Sequence, residues 1–360
     1  MTCFDIAIVG AGMAGASLAA AIGNRASVAI LEAEDVPGYH ATGRSAAFWT
    51  ESYGGPQVQP LTTASGDFLR AGGFLAPRAA LTIGTSDQAR EIDAFVERFA
   101  TLGVAIERLE RAGLERRIPG LREQWTCGAL EPDCCDIDVA ALHAHYLRDA
   151  RTTGAQLLTR ARLCSARHER EKWRLVMADG KRIDARVLVN AAGAWADEIA
   201  RIAGAAPLGI APMRRTVIQL ATAPSAASTL PLCLDIAERF YFKPENGSVW
   251  LSPHDETPSP PCDAAPEEID VALAIDRFEG VVDWRVERIE HRWAGLRSFA
   301  PDRLPVYGFD PREPTFFWFA GQGGFGIQTA PAAARLGAGL LLGDTPGDVD
   351  PVPYAAKRFA

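Results

Sequence analysis

Residues 4–34 read FDIAIVGAGMAGASLAAAIGNRASVAILEAE, and their pattern decides the fold. An apolar β-run (Ile6 to Val9) leads into Gly10-Ala11-Gly12-Met13-Ala14-Gly15. An Ala-rich helical run follows, then a second β-run (Val28 to Leu31) ending at the acid Glu32. Each part has a physical task. Gly10 permits a sharp strand-to-helix turn, Gly12 lets a pyrophosphate approach the backbone, and Gly15 lets the helix lie close on the strand. The helix start presents free N–H groups and a positive dipole end, and Glu32 is placed to accept hydrogen bonds from a ribose. The whole unit predicts a dinucleotide site, without separating FAD from NAD.

Composition narrows the class. A chain of 360 residues exceeds one ordinary hydrophobic core, so two domains around one cleft are expected. Apolar residues make up 48% and the formal charge is -8 with basic residues scattered, which argues against nucleic acid as a partner. No apolar run is long enough to span a bilayer and the N-terminus lacks a basic leader, so a cytoplasmic location is expected. Seven cysteines without a C-x-x-C pair suggest free thiols. Cys134, Cys135, His143 and His145 raise a zinc site, but two His at i and i+2 of a helix capped by Asp138 face apart; no metal is expected.

Further along, Thr42 and Ser45 lie in a small-residue segment (Pro37 to Trp49) that can lay hydroxyls and N–H groups along a phosphate or flavin edge before a helix-like run. Leu81 to Ile83 reads as a strand and Ser86 to Leu102 as a helix. Residues 50–137 show no obvious catalytic group and suit a cap inserted into the first domain. Gln156 to Leu163 reads as a strand, and Trp173 to Met177 with Arg182 to Ala185 as a hairpin around Asp179-Gly180. Val187 to Asn190 is a buried strand that ends in small residues before a helix, where an open α/β sheet exposes its carboxyl edge. From Pro212 the pattern becomes antiparallel: a strand Arg214 to Leu220, a hairpin turning at Asn246-Gly247, a Pro-rich loop and a helix Glu268 to Phe278. Finally, the strand Phe316 to Ala320 runs into Gly321-Gln322-Gly323-Gly324-Phe325-Gly326. In a flavin site these N–H groups can stabilise the negative charge of reduced flavin.

The ordered set GAGMAG, GYHATGRSAA, VLVNAAGAW, FYFKP, WAGLRSF and AGQGGFGIQTAP is similar to the D-amino-acid oxidase superfamily, most closely to bacterial D-arginine dehydrogenases. The resemblance implies FAD, an α/β fold with a discontinuous Rossmann-like domain (1–75, 138–211 and 293–360), and a mixed, largely antiparallel substrate domain (76–137 and 212–292). It also implies a cofactor cradle of Gly10, Gly12, Met13, Ala14, Gly15, Glu32, Thr42, Arg44, Ser45, Ala46 and Ala47. To these it adds Cys164, Ala192, Gly193, Trp195, Gly295, Arg297, Gly323, Gly324, Phe325, Gly326, Ile327 and Gln328. Arg297 takes the role of the substrate-carboxylate partner, which a guanidinium fork suits. Tyr241, Tyr53 and Arg215 join it in the cleft; Arg214 and Arg215, adjacent on a strand, face opposite ways.

Two positions depart from that likeness. Phe48 stands where a His is expected near the substrate amine, and Ala80 where a Glu would face a cationic side chain. Without that Glu, a neutral or apolar substrate side chain is expected. The implied reaction is hydride transfer from the amine-bearing carbon to flavin N5, followed by hydrolysis to a 2-oxo acid and ammonia. The acceptor that reoxidises the flavin (oxygen, quinone or another) is unspecified. No cysteine lies beyond Cys262, so non-covalent FAD is expected. A glycine or sarcosine-type oxidase, a 2-hydroxy-acid dehydrogenase, and a flavin-binding protein without activity are the competing readings.

Overall fold

The computed structural model describes residues 3–345 and 347–360. Its first sheet has eight strands. Cys3–Val9 lies between Val28–Leu31 and Arg182–Asn190, parallel to both. Gln156–Leu158 extends the far edge in parallel. Arg182–Asn190 divides its outer edge: residues 182–185 pair antiparallel with Lys172–Met177, and residues 188–190 pair parallel with Phe316–Ala320. Val28–Leu31 and Phe316–Ala320 are buried along their whole length, as parallel strands covered on both faces are. They end at Val9, Leu31, Asn190 and Ala320, which defines one carboxyl edge.

Helix Met13–Ile22 packs on this sheet between helices Val139–Thr152 and Ala330–Leu342. The glycine tasks are visible here. Gly10 has φ +102°, a region that favours glycine. A Cβ on Gly15 would lie 1.9 Å from the Gly10 carbonyl oxygen, so any side chain there would push the helix off the strand.

The second sheet has ten strands and is mostly antiparallel. Its spine is the long ribbon of Ala211–Ala223 with Arg285–Phe299, paired from Ala211 opposite Phe299 to Ala223 opposite Arg285 with register shifts at Gln219/Leu220 and Ala221/Thr222. Ser248–Ser252, Tyr241–Glu245, Leu232–Asp235, Ala80–Thr85, Trp125–Glu131 and Glu107–Glu110 continue outward. Its core is apolar, with Phe240, Phe242, Phe278, Trp125 and Trp284 buried together.

Some expectations are corrected. The helix-like run before Trp49 is extended: Phe48–Trp49 pairs with Cys135 and Asp136, and the Trp49 indole donates to the Thr62 carbonyl at 3.0 Å. A buried indole that finds its acceptor this way fixes the chain direction more strongly than local propensity. The expected strand Gln156 to Leu163 is broken at Arg160, whose φ is +55°. Residues 163–169 instead start a separate strand beside Lys172–Met177. The strands Glu107–Glu110, Trp125–Glu131 and Val306–Phe309 were not anticipated, because their patterns carry little period-2 contrast.

Candidate active site

All but three of the singled-out residues line one cleft, which runs along the carboxyl edge of the first sheet and under the second. The exceptions are Gly15, Cys164 and Phe325. Gly15 acts in packing, as described. Cys164 turns its thiol to solvent, while its neighbour Leu163 lines the cleft, so the expected contact of Cys164 is corrected to Leu163. Phe325 sits behind Tyr53 and Phe299, with both ring centroids 6.3 Å away.

At one end of the cleft, helix Met13–Ile22 presents its N-terminus. Gly12 supplies no capping side chain and the first turn holds no acid, so the dipole end is open to an anion. Thr42 Oγ1 accepts from the Met13 N–H at 2.9 Å and so anchors the small-residue segment there. Glu32 is buried. Its two carboxylate oxygens accept from the Ala11 and Glu34 N–H groups, each at 2.9 Å, which leaves further lone pairs for hydroxyls. His143, passed over as a metal candidate, braces this turn: its Nε2 lies 2.9 Å from the Ala11 carbonyl, and burial lowers its pKa. Arg44 also lines the cleft; its guanidinium donates to the Ala264 carbonyl at 2.9 Å and pairs with Asp263, so it ties the Pro-rich loop to the cleft.

At the other end the two sheets meet over a cluster of charge. Strand alternation separates the adjacent arginines as expected. Arg214 turns out to Glu267 and Asp270, whereas Arg215 turns into the cleft and donates through Nε to the Asp255 carbonyl at 2.9 Å. Arg297 enters from the paired strand. Its Nη1 donates to the Tyr53 hydroxyl at 3.1 Å and its Nη2 to Glu256 at 2.6 Å. Among the described residues, Arg297 Nε and Arg215 Nη2 are buried with no hydrogen-bond acceptor. Burial, and then the charge of Arg297, lower the Arg215 pKa. Glu256 lies between the two guanidiniums, 2.6 Å from Arg297 Nη2 and 3.6 Å from Arg215 Nη2, and offsets part of their repulsion.

Tyr241 is buried beside Phe48 (centroids 6.0 Å apart), and Phe48 lies 5.2 Å from Tyr53. Ala80 and Leu232 pack with these rings in one buried apolar cluster, behind the cleft lining. Gln328 links the cleft to the Tyr53 loop: its Nε2 donates to the Tyr53 carbonyl at 3.1 Å and its Oε1 accepts from the Thr50 N–H at 3.3 Å. The same loop is held from the second sheet by the buried Glu131, which accepts from the Glu51 N–H and the Ser52 hydroxyl, both at 2.6 Å.

Glu131, His254, Asp255 and Glu256 were missed by the sequence. They sit in a turn or at a strand end without periodicity, and their partners are remote in sequence.

Compared with known proteins, residues 5–340 match the model of the DAO family, described as FAD dependent oxidoreductase. The chain belongs to the FAD-dependent oxidoreductase family. FAD is therefore its cofactor. Hydrogen cyanide synthase subunit HcnC of Pseudomonas aeruginosa is 26% identical over 263 residues, covering 70% of this chain and 59% of that protein. Glycine oxidase of the same organism is 30% identical over 169 residues, covering 46% of this chain and 44% of that protein. The chain thus spans less than two thirds of the length of these curated relatives. Among solved structures, glycine oxidase from Geobacillus kaustophilus superposes with a TM-score of 0.86 at 20% identity, covering 99% of both chains. The iminodiacetate oxidase from Chelativorans sp. gives 0.78 at 23%, covering 97% of this chain and 98% of that one. These two likenesses speak for the fold. None of the relatives named here is a D-arginine dehydrogenase.

The residues fit FAD. The open helix N-terminus and the buried Glu32 suit a pyrophosphate and a ribose, and the glycine turn gives a close backbone surface at the far end. A Cβ on Gly324 would stand 2.6 Å from the Tyr53 hydroxyl and 2.7 Å from Arg297 Nη1, so the turn approaches the arginine as closely as a chain can.

Proposed function

We propose that this chain oxidises the amine next to the carboxylate of a small neutral amino acid, a D-amino acid in the first instance, to a 2-oxo acid and ammonia. The observation that carries the reading is the pair of buried, unpartnered nitrogens, Arg297 Nε and Arg215 Nη2, at one end of the flavin cleft. They suit one carboxylate, with the Tyr53 hydroxyl beside them. Bound FAD, held without a covalent bond, supplies the two-electron acceptor for the hydride that leaves Cα.

The chain's own groups orient and exclude. The guanidiniums fix the carboxylate and thereby the direction of the Cα–H bond. The apolar rings of Phe48 and Tyr241, backed by Ala80, keep water from the side-chain end and offer a cation no counter-charge. Phe48 cannot take a proton, so the substrate enters with its amine neutral. Water then hydrolyses the released imino acid.

The test is a product assay for 2-oxo acid and ammonia over D- and L-amino acids, glycine, sarcosine and 2-hydroxy acids. Neutral D-amino acids should give the highest kcat/KM; a dominant D-arginine, or turnover of hydroxy acids alone, would overturn the reading. The 30% identity to a glycine oxidase favours glycine or a secondary amine as the second reading, and the same panel separates it.

A further inference from the structure

Glu256 lies where a carboxylate is least expected, against the guanidinium assigned to the substrate. The residue sits just before the short strand Thr257–Pro258, which pairs with Met213 and Arg214. Its Oε1 accepts from Arg297 Nη2 at 2.6 Å and from Arg303 Nη2 at 2.8 Å, and its Oε2 lies 2.9 Å from Arg303 Nη2. Arg215 Nη2 is 3.6 Å away. Burial pushes its carboxyl up, but the Arg303 hydrogen bond and the charges of Arg297, Arg303 and Arg215 outweigh that and hold it below the usual range. It is a fixed negative charge.

The placement divides the Arg297 fork. Glu256 takes Nη2 and Tyr53 takes Nη1, so among the described residues Nε is the Arg297 nitrogen left without an acceptor, as Nη2 of Arg215 also is. One incoming carboxylate satisfies both. A second would lie in the field of Glu256, whose own positive partners are already shared. The apolar rings of Phe48 and Tyr241, backed by Ala80 and Leu232, give a second charge of either sign no partner.

We propose that Glu256 is a specificity-determining residue that limits the substrate to one carboxylate by repelling a second acidic group. The inference rests on the reading that Arg215 and Arg297 hold a substrate carboxylate. A purely structural role, tying the turn at 256 to the Arg303 loop, would leave the preference between mono- and dianions unchanged.

The test uses the FAD-loaded full chain and two unreactive acids of equal carbon count, propionate and malonate, titrated while the flavin absorbance is read. The wild type should bind propionate in preference. Glu256→Gln keeps an acceptor for Arg297 and should raise the malonate-to-propionate affinity ratio by about tenfold or more, one unit-charge interaction across a partly buried site. Should that variant fail to fold, Arg303→Gln provides the opposite arm: it removes a counter-charge from Glu256 and should lower the ratio. A ratio within about twofold of wild type, with both acids still perturbing the flavin, would overturn the role of Glu256 and leave the carboxylate reading standing. Should neither acid perturb the wild-type flavin, both would fall.

Discussion

Arg297 Nη1 donates to the hydroxyl of Tyr53 at 3.1 Å, joining residues 244 positions apart at the end of the cleft where the two sheets meet. The contact holds one face of the guanidinium while its Nε stays free. Arg297→Ala is expected to lower kcat/KM for a neutral amino acid by about 2 kcal/mol or more, through loss of a charge-assisted pair. Arg297→Lys should recover little, since an ammonium lacks the fork. Unchanged kcat/KM in either variant, with flavin content preserved, contradicts the assignment.

Gly324 offers a subtler probe. A methyl group there meets the Tyr53 hydroxyl at 2.6 Å and Arg297 Nη1 at 2.7 Å, both far ends of side chains that can move. Gly324→Ala should therefore retain flavin but displace the pair, raising KM more than it lowers kcat. Steady-state kinetics beside a flavin-to-protein ratio would check this; loss of the flavin with KM intact would refute it.

Glu131 ties the Tyr53 loop to the second sheet. Burial raises its pKa above the ordinary glutamate value, against the lowering effect of the Ser52, Thr50 and Glu51 hydrogen bonds. A carboxyl so raised binds more protons folded than unfolded, so its contribution makes stability fall as pH rises from the ordinary glutamate value through the raised one. Glu131→Gln removes that dependence. Urea midpoints at about pH 5 and about pH 8 should converge relative to wild type. An unaltered difference between the two midpoints would show that Glu131 does not carry it.

His254 has the opposite sign. Burial, and then the charges of Arg215 and Arg297, depress its pKa from 6.5 to about 2, while its ring meets Tyr241 edge to face at 5.8 Å. The unfolded chain binds a proton below 6.5 that the folded one refuses, so this contribution is intact above 6.5 and is lost as pH falls toward about 2. His254→Gln should flatten the acid-side slope of stability by up to about one proton, measured by denaturant unfolding across that range. An unchanged slope would mean that the imidazole is free to protonate in the folded state.

Much of this was legible in the sequence because it is local. The nucleotide turn, from Gly10 to Gly15 with Glu32 beyond it, is one supersecondary unit whose glycines have backbone tasks. The opposed facing of Arg214 and Arg215 follows from strand alternation alone. The rest depended on chain closure. Glu256 reaches Arg297 over 41 residues and Arg303 over 47, and Glu131 reaches Glu51 over 80, from segments with no period to announce them. Arg44, which the resemblance puts in the cofactor cradle, lines the cleft but finds its protein partners more than 200 residues away in the Pro-rich loop. The extended course of Phe48–Trp49 likewise depends on pairing with Cys135 and Asp136, which nothing between residues 44 and 49 encodes.

A substrate carboxylate seated on Arg297 and Arg215 would present its amine-bearing carbon to FAD. Mixing the FAD-loaded protein anaerobically with a neutral D-amino acid, while the flavin absorbance is followed, tests it most directly. Bleaching within a single turnover is expected in the wild type, and strongly slowed bleaching with Arg297→Ala. Wild-type flavin that stays oxidised with every amino acid, glycine and secondary amine tried, or an Arg297→Ala protein that bleaches as fast as wild type, would contradict it.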